Sequence, residues 1–233
     1  MTIAVIIPTL DEERTLPLTL PRTLDLKFDE VIVVDGGSRD RTTEIVSAFS
    51  RQRSAVRSFH LLTAPAGRGR QMNVGAKASG SEVLLFLHAD TQLPAEARTA
   101  IEDALKAPDV VGGRFDVRFD RETALGRVIS RMINLRSRWS GIATGDQAIF
   151  VRRSVFERLG GFAEIPLMED LHFTRRLKRA GRVAALRSRV TTSYRRWEAC
   201  GPIPTILLMW GLRFLYWVGV SPHRLSRLYA AVR

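Results

Sequence analysis

Four short apolar runs rich in β-branched residues set the strongest constraint on this chain: Ile3 to Ile7, Val31 to Val34, Val56 to Leu62 and Val83 to Leu87, each closed by polar residues, Gly or Pro. Runs this short suit buried strands. Helical character lies between them, near Glu12 to Thr23, Arg41 to Arg51 and Arg70 to Ser79. A parallel strand pair needs a long crossover, so this alternation predicts a doubly wound, mostly parallel α/β sheet. Further on, Pro94 to Lys106 reads as a helix, Val110 to Phe119 as a strand, Glu122 to Arg138 as a basic helix, and Ala148 to Val151 as another strand. Asp170 to Ala180 reads as a helix ended by Gly181, the expected C-terminal glycine. The length of 233 residues suits one catalytic domain with an appendage.

Ligands of such sheets sit outside the carboxyl ends of the strands, so the residues following each run carry the functional reading. They are Pro8-Thr9, Asp35-Gly36-Gly37-Ser38 and His88-Ala89-Asp90. Thr9 stands three residues before Glu12, the spacing of a capping box at the first helix. Asp35 and its two glycines suit either a ribose or base contact or a plain strand-to-helix turn. Gly67-Arg68-Gly69-Arg70-Gln71-Met72-Asn73 joins glycines with two guanidinium groups just before a helix, as a diphosphate site or a solvated basic loop would. Asp90 can hold Mg or Mn against phosphate oxygens, while His88 reads as structural. Glu169 and Asp170 open a helix, where acids belong in any case and where one can also serve as general base. Gly145-Asp146-Gln147 and Gly160-Gly161-Phe162 read as turns or as acceptor-pocket walls. Tyr194-Arg195-Arg196-Trp197 reads as a diphosphate clamp or a basic surface strand.

Composition narrows the class further. Hydrophobic residues at 45% and charged residues at 26% exclude a disordered or fibrous chain. Thirty-six Lys and Arg against 24 Asp and Glu give +12, which favours anionic partners. Basic charge is spread along the chain without a recognised nucleic-acid motif, so nucleic acid is not expected as a partner. The single Cys200 excludes an intramolecular disulfide and suits a reducing compartment, and the first residues lack a signal peptide's features, which points to the cytoplasm. Ile203 to Val220 is strongly apolar but carries Arg213 and is broken by Pro204, Gly211 and Gly219. With Arg224, Arg227 and Arg233 behind it, it suits peripheral contact with the inner face of a membrane, or equally a homodimer contact.

Taken in order, Ile6-Ile7-Pro8-Thr9-Leu10-Asp11-Glu12-Glu13, Val33-Val34-Asp35-Gly36-Gly37-Ser38, Leu87-His88-Ala89-Asp90, Gly160-Gly161-Phe162 and Glu169-Asp170 resemble family-2 glycosyltransferases. The resemblance covers roughly residues 1 to 198. It implies a GT-A fold, with a nucleotide-binding half at 1–92, an acceptor half at 93–198 and a helical appendage at 199–233. It also implies a hexosyltransferase-type, inverting transfer of one sugar from a nucleotide diphosphate sugar, with UDP favoured, to a hydroxyl or carboxyl acceptor of lipid type. Pro8, Thr9, Glu12, Asp35 and Gly36 would line the nucleoside pocket, Arg70 and Arg196 would meet the diphosphate, and Asp90 would carry Mn or Mg. Asp170 would be the base, with Gly145, Asp146, Gln147, Glu169 and Trp197 on the acceptor side. The chain departs from many relatives in having Asp35-Gly36 for Asp-Asp, and His88-Ala89-Asp90 for Asp-x-Asp. Its variant motifs resemble a small bacterial subgroup likened to carotenoid-acid glycosyltransferases. The nearest alternative is a nucleotidyltransferase acting on sugar phosphates; a basic nucleic-acid-binding module is the remote one.

Overall fold

A computed structural model describes residues 1–51, 58–121 and 123–231; the side chains of Arg51, Arg196, Ala230 and Ala231 are not among those described. The predicted strand residues Val56 and Arg57, the predicted helix start at Glu122 and the basic Arg233 therefore lie outside the described residues. One eight-stranded sheet has the order β3-β2-β1-β4-β7-β6-β8-β5. Strands β1 (Ile3–Thr9), β2 (Glu30–Asp35), β3 (Ser58–Thr63) and β4 (Val83–Phe86) are mutually parallel. Strand β5 is short (Thr91–Gln92); β7 (Ile149–Arg152) runs antiparallel between β4 and β6 (Val110–Phe119), and β8 (Arg182–Thr192) lies parallel to β6. The sheet runs unbroken across residue 92.

Period-two alternation explains why this sheet is covered on both faces. Ile3, Val5 and Ile7 of β1 enter one core, with Leu16 and Leu20 of α1 (Leu16–Asp25) and Val46 of α2 (Thr42–Arg51). Ala4 and Ile6 enter the other, against Met72 and Ala76 of α3 (Arg68–Ala78). Each fully buried aliphatic side chain is worth about 2 kcal/mol of removed apolar surface. Gly75 lets α3 approach closely, since a Cβ there would stand 2.5 Å from Ile6 Cγ2.

Helix α4 (Ala97–Leu105) packs on the first core, and α5 (Ala124–Ser140) runs along β6. Helix α6 (Arg153–Arg158) follows β7, α7 (Glu169–Ala180) leads to β8, and α8 (Arg195–Cys200), α9 (Pro202–Trp217) and α10 (Pro222–Ala231) form the appendage. Among the described residues no helix is long and apolar enough to cross a membrane.

Several local expectations change. The first helix starts at Leu16 with Thr15 as N-cap residue and a proline in its first two positions, not at Glu12. The Thr9–Glu12 capping box does not form, because the Thr9 hydroxyl points along the strand ends toward Asp35. Tyr194 to Trp197 opens a helix instead of forming a strand. Strand β8 was not expected at all.

Candidate active site

The register aligns Thr9, Asp35 and Thr63 in one row at the carboxyl edge of β1, β2 and β3. Thr9 and Asp35 are buried and meet through a 3.4 Å hydroxyl-to-carboxylate contact. The Asp35 carboxylate also accepts from the Gly37 and Ser38 N–H groups, each at 2.9 Å, and from the Ser38 hydroxyl at 2.5 Å. It thereby fixes the turn that follows β2. Gln71, to which the sequence assigns no role of its own, donates its amide at 2.8 Å to both the Thr9 and Val34 carbonyls, and a Cβ on Gly36 would stand 3.0 Å from that amide. Pro8 is buried inside β1, and Glu12 stands just beyond it, hydrogen-bonded to the Thr15 hydroxyl at 2.6 Å.

Asp90, delivered by the segment after β4, is the hub of the charged groups. Burial and then Glu12 raise its pKa, Arg195 and Arg68 pull it down, and Asp146 adds to the rise. Arg195 stands 3.6 Å from Glu12 and 4.0 Å from Asp90. Arg68 pairs with Glu169 at 3.3 Å and lies within electrostatic reach of Asp170 and Asp90. Arg70 points elsewhere, to Glu164 at 2.9 Å. Two residues along a helix is a rotation of about 200°, so the two arginines leave α3 in opposite directions.

Met168, with φ of 71°, turns the chain so that Glu169 and Asp170 begin α7. A non-glycine residue in this region is strained, and such strain is held where surrounding structure enforces it. Asp170 accepts from the Gly145 N–H at 2.8 Å and the Leu171 N–H at 2.7 Å. Burial and the adjoining Glu169 push its carboxyl up to about 7, against those N–H groups and Arg68. Asp170 lines a small crevice with Arg68, Phe86, His88, Gly145 and Phe162. Gly145 is required there, since a Cβ would fall 2.3 Å from His88 Nε2. From α5, Arg136 reaches the same region: burial holds its guanidinium below its ordinary value while Asp146 and Asp170 pull it up. Among the described residues, Arg136 Nε and Nη2 and Asp146 Oδ1 are buried with no hydrogen-bond partner. Nε and Nη2 form the side-on fork that meets planar oxyanions in a bidentate manner.

Other candidates fall outside this cluster. Gln147 is fully buried, donating to the Phe115 carbonyl at 3.3 Å and accepting from the Thr144 N–H at 3.2 Å, so it holds the 145–147 turn from behind. Trp197 packs on Phe119 and Tyr194. The Arg196 side chain is outside the described set. Gly160 and Gly161, both at φ of 69°, set Phe162 into an aromatic cluster with Phe86, Phe156 and Phe173.

Residues 4–162 match the family model described as glycosyl transferase family 2. The chain belongs to this family. Curated relatives include the undecaprenyl-phosphate 4-deoxy-4-formamido-L-arabinose transferase of Pseudomonas paraeruginosa, 33% identical over 67% of this chain and 49% of the relative. The probable glycosyltransferase YdaM of Bacillus subtilis is 30% identical over 77% of this chain and 47% of the relative. The chain thus spans about half the length of the curated relatives it matches. Among solved structures, S. aureus TarS 1–349 in complex with UDP superposes with a TM-score of 0.62 at 21% identity, covering 83% of this chain and 60% of TarS. The mannosyltransferase PcManGT from Pyrobaculum calidifontis, in complex with GDP-Man and Mn2+, gives 0.63 at 21% identity, covering 82% and 56%. These likenesses establish the family-2, GT-A fold.

Proposed function

We propose that the chain is an inverting glycosyltransferase that moves one sugar from a nucleotide diphosphate sugar, with UDP as the nucleotide, to an oxygen of a lipid-type acceptor. The observation that carries this reading is a carboxylate tuned to about 7, Asp170, beside the charged cluster of Asp90, Arg68 and Arg195 at the carboxyl end of a family-2 sheet. A base works best when its pKa lies near the working pH. Thr9, Glu12 and Asp35 receive the nucleoside, and Arg68, in place of Arg70, meets the diphosphate with Arg195.

Asp90 fits Mn or Mg as the protein's carboxylate ligand. It is a hard oxygen donor that burial first, and Glu12 and Asp146 after it, leave reluctant to ionise. Among the described residues no three His, Cys, Asp or Glu side chains form a metal-holding group, so Asp90 would be the side chain the protein offers to the cation. The cation supplies charge neutralisation to the departing diphosphate. Asp170 takes the proton of the acceptor oxygen, that oxygen bonds to the anomeric carbon, and the carbon–oxygen bond to the diphosphate breaks with its electron pair leaving on phosphate. A single in-line displacement inverts the centre.

The Arg136 fork favours an acceptor with a carboxylate or phosphate beside its reacting oxygen. This agrees with the lipid phosphate named for the Pseudomonas relative. Contact of residues 203–233 with a membrane belongs to the same proposal, and a homodimer through them is the competing use of that face. A thermal-shift titration with UDP, GDP and their sugar conjugates, with and without Mn, tests the donor site. A metal-dependent rise with a UDP sugar is expected; no rise with any nucleotide at saturation would overturn the reading, and release of pyrophosphate during turnover would turn it into a nucleotidyltransferase.

A further inference from the structure

Helix α5 presents Leu125, Val128, Met132, Leu135 and Trp139 to solvent, at i, i+3, i+7, i+10 and i+14. Helix α9 does the same with Ile203, Leu207, Trp210, Phe214 and Trp217, at i, i+4, i+7, i+11 and i+14. Each spacing places its set on one helix face, here the face turned away from the core. Trp139 is 89% exposed and Trp217 67%, far beyond the isolated apolar residues ordinary on a surface.

The two helices are neighbours at the acceptor end. Ile129 and Ile133 on the inner side of α5 share one cluster with Tyr194, Trp197 and Ile206 of the appendage. The inner side of α9 packs, through Leu208, Met209 and Leu212, on Met168 and Leu171, which flank Asp170. Beside the α5 stripe runs a groove between α5 and the sheet, holding Arg118, Arg121, Arg127, Arg131 and Arg189. Arg121 pairs with Glu198 and Arg118 bonds the Thr191 hydroxyl, while Arg127, Arg131 and Arg189 are exposed.

We propose that this face, the outer stripes of α5 and α9 together with the arginine groove, seats the protein on an anionic phospholipid surface and turns the Asp170 end toward an acceptor carried in the bilayer. The proposal rests on the lipid-acceptor reading above and adds α5 and its groove to it. Charge selects the occupant. A second copy docking through the same face would set one arginine groove near another, whereas anionic headgroups complement it. Tryptophan is suited to the boundary between headgroups and acyl chains, and an exposed apolar stripe flanked by arginines suits a helix lying in that plane.

Flotation of the full chain with vesicles of phosphatidylcholine alone, or with about a third phosphatidylglycerol, tests it. The wild type should float only with the anionic vesicles and be released by salt. Leu135→Glu with Trp139→Glu, and separately Arg127→Glu with Arg131→Glu, should each weaken partition about tenfold or more. Both pairs are exposed and lie outside the donor site, so the thermal-shift response to nucleotide sugar should be unchanged. Wild-type protein that ignores anionic vesicles overturns the proposal, as do α5 variants that float like wild type. A dimer dissolved by the α5 substitutions without any vesicle binding assigns the face to a second copy, and salt-sensitive RNA binding without flotation assigns it to nucleic acid. Failure of nucleotide sugars to bind the wild type overturns the donor reading instead, leaving flotation to be judged by itself.

Discussion

The sheet edge at Thr9 and Asp35, proposed to receive the donor, and the end around α7, proposed to meet the acceptor, treat their polar groups in opposite ways. At the donor edge Asp35 uses its carboxylate on the Gly37 and Ser38 N–H groups, and Gln71 bridges two strand ends, so the edge is held internally before any ligand arrives. Around α7 the backbone is strained at Met168, Asp170 is pushed up to about 7, and buried nitrogens of Arg136 lack partners among the described residues. A protein tolerates such costs where chemistry needs them. On the proposed reading the nucleotide edge is held internally, whereas the groups proposed to react carry the backbone strain, the raised carboxyl and the unpartnered nitrogens.

The sharpest way to break this comparison is Asp170→Asn. The amide cannot take a proton, so transfer should fall by about three orders of magnitude while nucleotide-sugar affinity by calorimetry stays near wild type. Equal loss of affinity would remove the distinction between the two ends. Asp90→Ala should act on the donor side, reducing Mn-dependent nucleotide-sugar affinity by about tenfold or more. Unchanged metal dependence in that variant would place the ligand elsewhere. Gly145→Ala probes the seam between them: its Cβ meets His88 at 2.3 Å, so a cost of about 1–3 kcal/mol and a lower Tm are expected. A Tm equal to wild type would mean that the His88 ring can move away.

A further effect is on the pH dependence of stability. Because Asp170 binds its proton more tightly folded than unfolded, its contribution is fully present below about pH 4 and is lost as pH rises toward 7. Asp170→Asn should flatten that part of the stability–pH curve in denaturant titrations; an unaltered curve would assign the slope to other groups.

Much of the donor half was legible in the sequence because its strands are short, apolar and closed by Gly or polar residues, the pattern a buried parallel sheet imposes. Strand β8 was not, since Arg182, Arg187 and Arg189 interrupt it and its pairing with β6 comes from distant sequence. Arg68 and Arg70 are not told apart in the sequence while Gly67 to Arg70 reads as a loop, which carries no helical phase; the helix start at Arg68 separates the two. Helix α5 read as merely basic, although its Leu125, Val128, Met132 and Leu135 repeat was present, because an apolar stripe is ordinarily assumed to face the core. Gln71 within its motif and Arg136 in its helix carry no role legible in sequence, as their contacts depend on which elements fold beside them.

The central claim, that Asp170 is the base, is tested most directly by the pH dependence of transfer at saturating donor with a polyprenyl phosphate acceptor, in wild type and Asp170→Asn. The account predicts an ascending limb near 7 in the wild type that disappears from the residual activity of the variant. A limb that persists unchanged in the variant would belong to the acceptor's own phosphate and would contradict the role of Asp170.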